Sequence, residues 1–137
     1  MCKDQAIILL VDDDVDDQEL LTEEINKLEP SILVKKFYNG MQVMEYLFKM
    51  EKELPCLIIL DYNMPVVSGL EVLEKLANVP HLRNVPKIVW STSSSLTYQH
   101  KCLQTGALKY IVKANDLHGL RQIASEMIAA CCGTNLN

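Results

Sequence analysis

Five short runs along the chain are apolar enough, and brief enough, to be buried strands: Ala6–Val11 (AIILLV), Ile32–Phe37 (ILVKKF), Cys56–Leu60 (CLIIL), Lys87–Trp90 (KIVW) and Leu108–Val112 (LKYIV). Three of them carry almost no polar position, the pattern of strands covered on both faces of a parallel sheet. The second run alternates less cleanly and suits an edge.

Between the runs the apolar positions change to helical spacing. Leu21, Ile25 and Leu28 form one stripe; Val43, Met44 and Leu47 form another behind Asn39-Gly40; Leu70, Leu73 and Leu76 form a third. Leu96–Gln104 is a short candidate helix flanked by serines. Leu117, Leu120, Ala124, Ile128 and Cys131 give the last helix, starting at a cap on Asn115 or Asp116. Five strands, each followed by a helix, predict a (βα)5 doubly wound parallel sheet. No repeat or linker interrupts the pattern. It predicts a single domain over 1–137, with a core of about 6–131 and a short frayed tail at 133–137. In such sheets a ligand site lies outside the carboxyl ends of the strands, at the switch in strand order.

Composition narrows the function classes. A length of 137 residues, with 49% hydrophobic and 23% charged positions, fits one globular domain. The net charge of −5 and the lack of any lysine- or arginine-rich stretch argue against direct nucleic-acid binding. The amino terminus has no signal-peptide pattern, and no apolar stretch is long enough for a bilayer, so a cytoplasmic location is expected. Five scattered cysteines are an odd number and predict reduced thiols, with Cys131 and Cys132 as the apolar end of the last helix. No zinc spacing occurs, and His81, His100 and His118 match no ligand or base pattern, which assigns them to the surface.

The polar residues directly after the strands carry the chemistry. Asp12 and Asp13 follow the first, Asp61 the third, Ser91 the fourth and Lys113 the fifth. Three clustered carboxylates call for a divalent cation, and hard oxygen ligands favour Mg²⁺. A lysine and a metal beside a carboxylate make a place for a phosphoryl group. Each residue alone has a plainer reading: a helix cap for one aspartate, a solvated charge for Lys113, backbone satisfaction for Ser91, a turn for Asn63. Their joint occurrence at four strand ends outweighs those readings. Two rivals fail on residue type. Asp12, Asp14, Asp16 and Glu23 fall at EF-hand positions, but Asp17 stands where that loop needs glycine. The D-x-D-x-[TV] signature of aspartyl-phosphate hydrolases fails at Asp16.

The arrangement closely resembles the receiver domain of two-component response regulators, above all the stand-alone kind typified by the chemotaxis regulator, over roughly residues 6–131. The resemblance implies a flavodoxin-like fold with strand order 2-1-3-4-5. It implies that Asp61 accepts phosphoryl from a histidine kinase or phosphotransfer protein, and that Asp12 and Asp13 are the acid pair holding Mg²⁺. The Asn63 backbone carbonyl would be a further metal ligand. Ser91 would be the switch hydroxyl, Lys113 would reach the phosphoryl oxygens, and Tyr110 would be the rotating switch aromatic. Met64-Pro65 and Gly69 match the loop after the acceptor. The chain would be a signalling phosphoacceptor rather than an enzyme turning over a substrate. With all these residues present, a degenerate receiver acting only as an interaction module is disfavoured.

Five aspartates crowd residues 12–17, and the resemblance divides them. Asp12 and Asp13 do the chemistry. Asp14 is an N-cap, while Asp16 and Asp17 are first-turn acids favoured by the helix dipole. In one place the sequence departs from the family: Ala114 follows Lys113, where receivers carry proline in a cis peptide. A non-proline cis bond costs about 2.5–4 kcal/mol, so trans is expected. Since the chain ends soon after the fifth helix, no output domain is expected, and output should be a protein–protein contact. The expected surface is the fourth helix, fifth strand and fifth helix, carrying Leu96, Tyr98, Lys109 and Tyr110, read by a target or by a second copy of the chain.

Overall fold

The computed structural model describes residues 5–49 and 53–133. Five strands, β1 (Ile7–Val11), β2 (Leu33–Phe37), β3 (Leu57–Leu60), β4 (Lys87–Ser91) and β5 (Lys109–Val112), alternate with five helices. The helices are α1 (Val15–Leu28), α2 (Gly40–Lys49), α3 (Gly69–Ala77), α4 (Leu96–Gln104) and α5 (Leu117–Cys131), with a 3₁₀ turn at Pro80–Leu82. All strand pairs are parallel, in the order β2-β1-β3-β4-β5. This is the flavodoxin-like fold read from the sequence, with β2 at the edge.

The continuous apolar runs follow from two cores, one on each face of the sheet. Ile7, Leu9 and Val11 of β1 join Ile58, Leu60 and Val89 against Val43, Leu47, Val72 and Leu76. Ile8 and Leu10 point the other way, joining Ile59, Ile88 and Trp90 against Leu21, Ile25, Ile123, Ala124 and Met127. A strand of this kind has no solvent face, so its sequence loses the period-two signal.

Several expectations need correction. Leu28 and Leu117, read as core positions, are about half exposed. Ile123 and Met127 take the core positions of α5 instead, so the buried face of that helix is rotated from the stripe read in the sequence. α4 buries Cys102 alone. The thiols are not all reduced: Cys56, just before β3, and Cys131, at the end of α5, form a disulfide with Cα atoms 4.7 Å apart. Cys132 is disulfide-bonded as well. Cys102 is the free thiol among the described residues. The pairing joins chain segments 75 residues apart, which cysteine spacing could not reveal.

Other expectations hold. His81, His100 and His118 are exposed. The described residues contain no cis peptide, so Lys113-Ala114 is trans. None of the described helices is long and apolar enough to cross a membrane. Of the tail read as frayed, residues 134–137 lie outside the described residues.

Candidate functional site

β1 ends where the Asp12 N–H donates to the Phe37 carbonyl of β2 at 3.0 Å. Asp12 then folds back on its own backbone, its Oδ1 accepting the Asp14 N–H at 2.9 Å. Asp14 caps α1 by accepting the Asp17 N–H at 3.1 Å, as the sequence indicated. Buried Gln18 locks the junction from the first turn of α1. Its amide donates to the carbonyls of Asp12 at 2.9 Å and Phe37 at 2.6 Å. Sequence reading missed Gln18, because a glutamine in a helix carries no signal of burial.

β3 brings Asp61 beside this turn, its N–H donating to the Val11 carbonyl at 3.0 Å. β5 brings Lys113 to the same edge, its N–H donating to the Ser91 carbonyl at 2.8 Å. The switch in strand order thus gathers carboxylate oxygens of Asp12, Asp13 and Asp61 within 4.8 Å of one another. Asp12 and Asp61 are buried, while Asp13 is exposed.

One ammonium faces this charge. Lys113 Nζ donates to Asp12 Oδ2 at 2.7 Å and lies 3.9 Å from Asp61 Oδ2. A further donation, to Asp17 Oδ2 at 2.8 Å, was not foreseen. Asp17, read as a helix-dipole acid only, is therefore a member of the site. The ammonium also sits 4.7 Å from the centre of the Trp90 ring. Trp90 immediately precedes Ser91, so alternation along β4 turns the indole to the face opposite its neighbour, the α1–α5 side.

Burial pushes the Asp61 carboxyl up to about 6, with the charge of Asp12 adding to the rise and Lys113 opposing it. Burial also raises Asp12, against the pull of Lys113. Burial alone would lower Lys113, but its bonds to Asp12 and Asp17 outweigh that and hold it above the ordinary lysine value. The pocket thus holds more negative charge than its lysine balances. Three close oxygen donors with an uncompensated charge suit a hard divalent cation.

The remaining candidates surround this centre. Ser91 ends β4 fully buried, its hydroxyl accepting the Ser93 N–H at 3.3 Å. Asn63 is exposed, and its backbone N–H bonds Asp61. Gly69 is required by space, since an added Cβ would overlap the Asp61 carbonyl. Tyr110 is half-buried, packed on the core, with its hydroxyl donating to the Ser93 carbonyl at 2.8 Å. On the surface expected to be read by partners, Leu96 is exposed. Tyr98 instead stacks on Tyr62 at 4.1 Å, and Lys109 bridges Glu126 at 2.8 Å.

Comparison with known proteins agrees with this geometry. The chain matches the model of the response regulator receiver domain over residues 8–125. It is 29% identical over 135 residues to the two-component response regulator ARR17 of Arabidopsis thaliana, covering 92% of this chain and 87% of that one. Among solved structures it resembles the phosphorylated cyanobacterial phytochrome response regulator RcpA, at 29% identity and a TM-score of 0.83 over 91% of this chain and 92% of that one. It likewise resembles the Mn²⁺-bound form of the response regulator Rcp1, at 25% identity and a TM-score of 0.83 over 95% and 96%. Sheet order, the acid cluster at its switch point and the family match lead to one conclusion: the chain belongs to the response regulator receiver domain family.

Proposed function

We propose that Asp61 accepts a phosphoryl group from a sensor histidine kinase or phosphotransfer protein in a Mg²⁺-dependent reaction, and that the modified chain signals through protein–protein contacts. One observation carries this reading. Asp61 lies within 4.8 Å of Asp12 and Asp13 and 3.9 Å from Lys113, and, unlike Asp12, it is not already hydrogen-bonded to that ammonium. With its carboxyl raised only to about 6, Asp61 is mostly ionised at neutral pH and can act as the nucleophile.

Asp12, Asp13, Asp61 and the Asn63 backbone carbonyl would hold Mg²⁺. Bound there, the ion would offset the negative charge that a phosphoryl group adds. Rcp1, similar to this chain throughout, has a Mn²⁺-bound form, which supports a divalent site. Lys113 would turn to the phosphoryl oxygens, and the Ser91 hydroxyl would leave Ser93 for them. Because Tyr110 is tied to the Ser93 carbonyl, a shift of the Ser91–Ser93 segment would reach β5 and the face built from α4, β5 and α5. That face would contact a downstream protein or a second copy of the chain, without direct nucleic-acid or membrane binding. The reading includes a cytoplasmic location, where ATP-dependent kinases supply phosphoryl groups. The Cys56–Cys131 disulfide departs from the usual thiol state of that compartment.

Mass spectrometry after incubation with Mg²⁺ and acetyl phosphate tests the assignment. The chain should gain one phosphoryl group, lost on addition of EDTA beforehand and absent in Asp61→Asn. Equal labelling of the variant would remove Asp61 from the role.

A further inference from the structure

Lys113 is the ammonium of the site, yet its short hydrogen bonds go to Asp12 and Asp17, and it pairs with Asp61 only at longer range. Its ammonium has three N–H groups. Asp12 takes one at 2.7 Å and Asp17 another at 2.8 Å, while Asp61 stands off at 3.9 Å. The lysine side chain is 9% exposed and that of Asp17 31% exposed, so the Asp17 contact is partly desolvated. Asp17 does not belong to the carboxylate trio that could hold a cation. Its carboxylate is aimed at Lys113 across a sequence separation of 96 residues. A helix-dipole role would not need that direction, and Asp14 already caps α1.

We propose that Asp17 is a positioning residue for Lys113: it holds the ammonium on the α1 side of the pocket and competes for it with the phosphoryl oxygens on Asp61. This deepens the phosphoacceptor reading and rests on it. When a divalent ion engages Asp12, Asp17 becomes the main remaining anchor of the lysine in the unmodified state. A phosphoryl group must then draw Lys113 away from Asp17, so the strength of that pair sets how readily the modified state is reached. A ligand moves such an equilibrium only by its difference in affinity for the two positions. The pair is not sealed in the core, because Asp17, Trp90 and Lys113 line an open cavity of about 270 Å³ that extends to Leu20 and Leu117.

The chain contains one tryptophan, and it lies under this ammonium. Trp90 emission is therefore a direct reporter of where Lys113 sits. The test titrates beryllofluoride, a phosphoryl mimic, in excess Mg²⁺ into the parent protein, Asp17→Asn and Asp17→Glu, following Trp90 fluorescence. Asp17→Asn should bind beryllofluoride more tightly, by up to roughly fivefold, the effect of removing one partly exposed charge pair. Its emission before addition should already resemble that of the parent in the bound state, and Asp17→Glu should return both readouts towards the parent. A variant that merely loosened the fold would bind more weakly, so tightening separates the two causes. If the parent binds beryllofluoride and Asp17→Asn binds it equally or less well, with unchanged starting emission, the positioning role is overturned while the phosphoacceptor reading stands. If none of the three binds it, and acetyl phosphate leaves Asp61 unlabelled, both fall together.

Discussion

The two ends of the sheet each hold a lysine, and they treat it in opposite ways. At the amino ends of the strands, Lys87 opens β4 and donates to the carbonyls of Leu82 at 2.6 Å and Arg83 at 3.2 Å. Its partners are neutral backbone groups fixed by a 3₁₀ turn, and burial lowers its pKa. The Cys56–Cys131 disulfide clamps the same end. At the carboxyl ends, Lys113 lies among Asp12, Asp17 and Asp61, and those charges raise its pKa. One lysine is locked by acceptors that cannot move. The other has more carboxylates than it can satisfy, so a newcomer changes its allegiance. The lower rim holds the fold together, while the upper rim holds a charge imbalance that a ligand can relieve.

This division is most sharply tested where the two rims should respond separately. Opening Cys56–Cys131 by Cys56→Ser frees a 75-residue loop in the unfolded chain and should cost about 4 kcal/mol. Urea unfolding of Cys56→Ser beside the parent, both without reductant so that the bond at Cys132 is kept, measures it, while Mg²⁺ affinity at the far rim should not change. An unchanged urea midpoint would mean that the clamp contributes nothing. Next in size is Gly69→Ala, whose Cβ overlaps the Asp61 carbonyl and should cost about 3 kcal/mol, the upper end for overpacking against backbone. Here stability and metal binding should fall together. Loss of stability alone, with Mg²⁺ affinity intact, would show that the loop moves without disturbing Asp61.

The same contrast explains what could be read without a structure. Strands followed from runs such as Leu57–Leu60, because burial on both faces removes every polar position, while their order followed from the resemblance to receiver domains. The acidic trio and its neighbour Lys113 followed because residues at strand ends share an edge once the topology is known. What escaped was long-range or rotational. Asp17 has good local reasons to sit in a first helical turn, and nothing local reveals a partner 96 residues later. Leu28 and Leu117 have the spacing of core residues, but helix rotation is settled by the surface each helix meets, which exposes them. The Cys56–Cys131 bond joins distant segments of a chain with an odd cysteine count.

The charge imbalance itself should be visible in pH dependence. Asp61 is raised from 3.8 to about 6, so in the metal-free protein it stabilises the fold below pH 4, relative to neutral pH, and that contribution is lost as pH rises through about 6. The difference corresponds to about 3 kcal/mol. Urea midpoints in EDTA at pH 4.5 and 7 should therefore show an Asp61-dependent decline that Asp61→Asn removes. Mg²⁺ requires the ionised carboxylates and should act in the opposite sense, with stabilisation appearing as pH rises through the same window. It should reach about 2.7 kcal/mol at a hundredfold excess over its dissociation constant. Asp13→Ala should abolish the Mg²⁺ effect yet leave most of the pH decline, since Asp13 contributes least to the Asp61 shift. A parallel slope in parent and Asp61→Asn would place the imbalance elsewhere.

The smallest expected effect lies in the loop that follows the acceptor. Val66 has φ +69° and is 86% exposed, so a β-branched side chain holds a left-handed conformation with no burial to compensate. Such a conformation costs of order 1–3 kcal/mol for a residue of this type. Asparagine tolerates the left-handed region far better. Val66→Asn should therefore raise stability by about 1 kcal/mol, seen as a melting temperature higher by roughly 4 °C for a domain of this size. Nothing comparable is expected from exposed Leu54 at the other rim, whose φ is not positive. Because Val66 lies five positions past Asp61, relief of its strain also tests whether the upper rim needs it. Unaltered beryllofluoride binding in a stabilised Val66→Asn would make the strain incidental to the site. Weakened binding in a more stable protein would mean that the tense loop helps keep Asp61 ready for modification. No gain in melting temperature would show that the loop relaxes around valine and stores no strain.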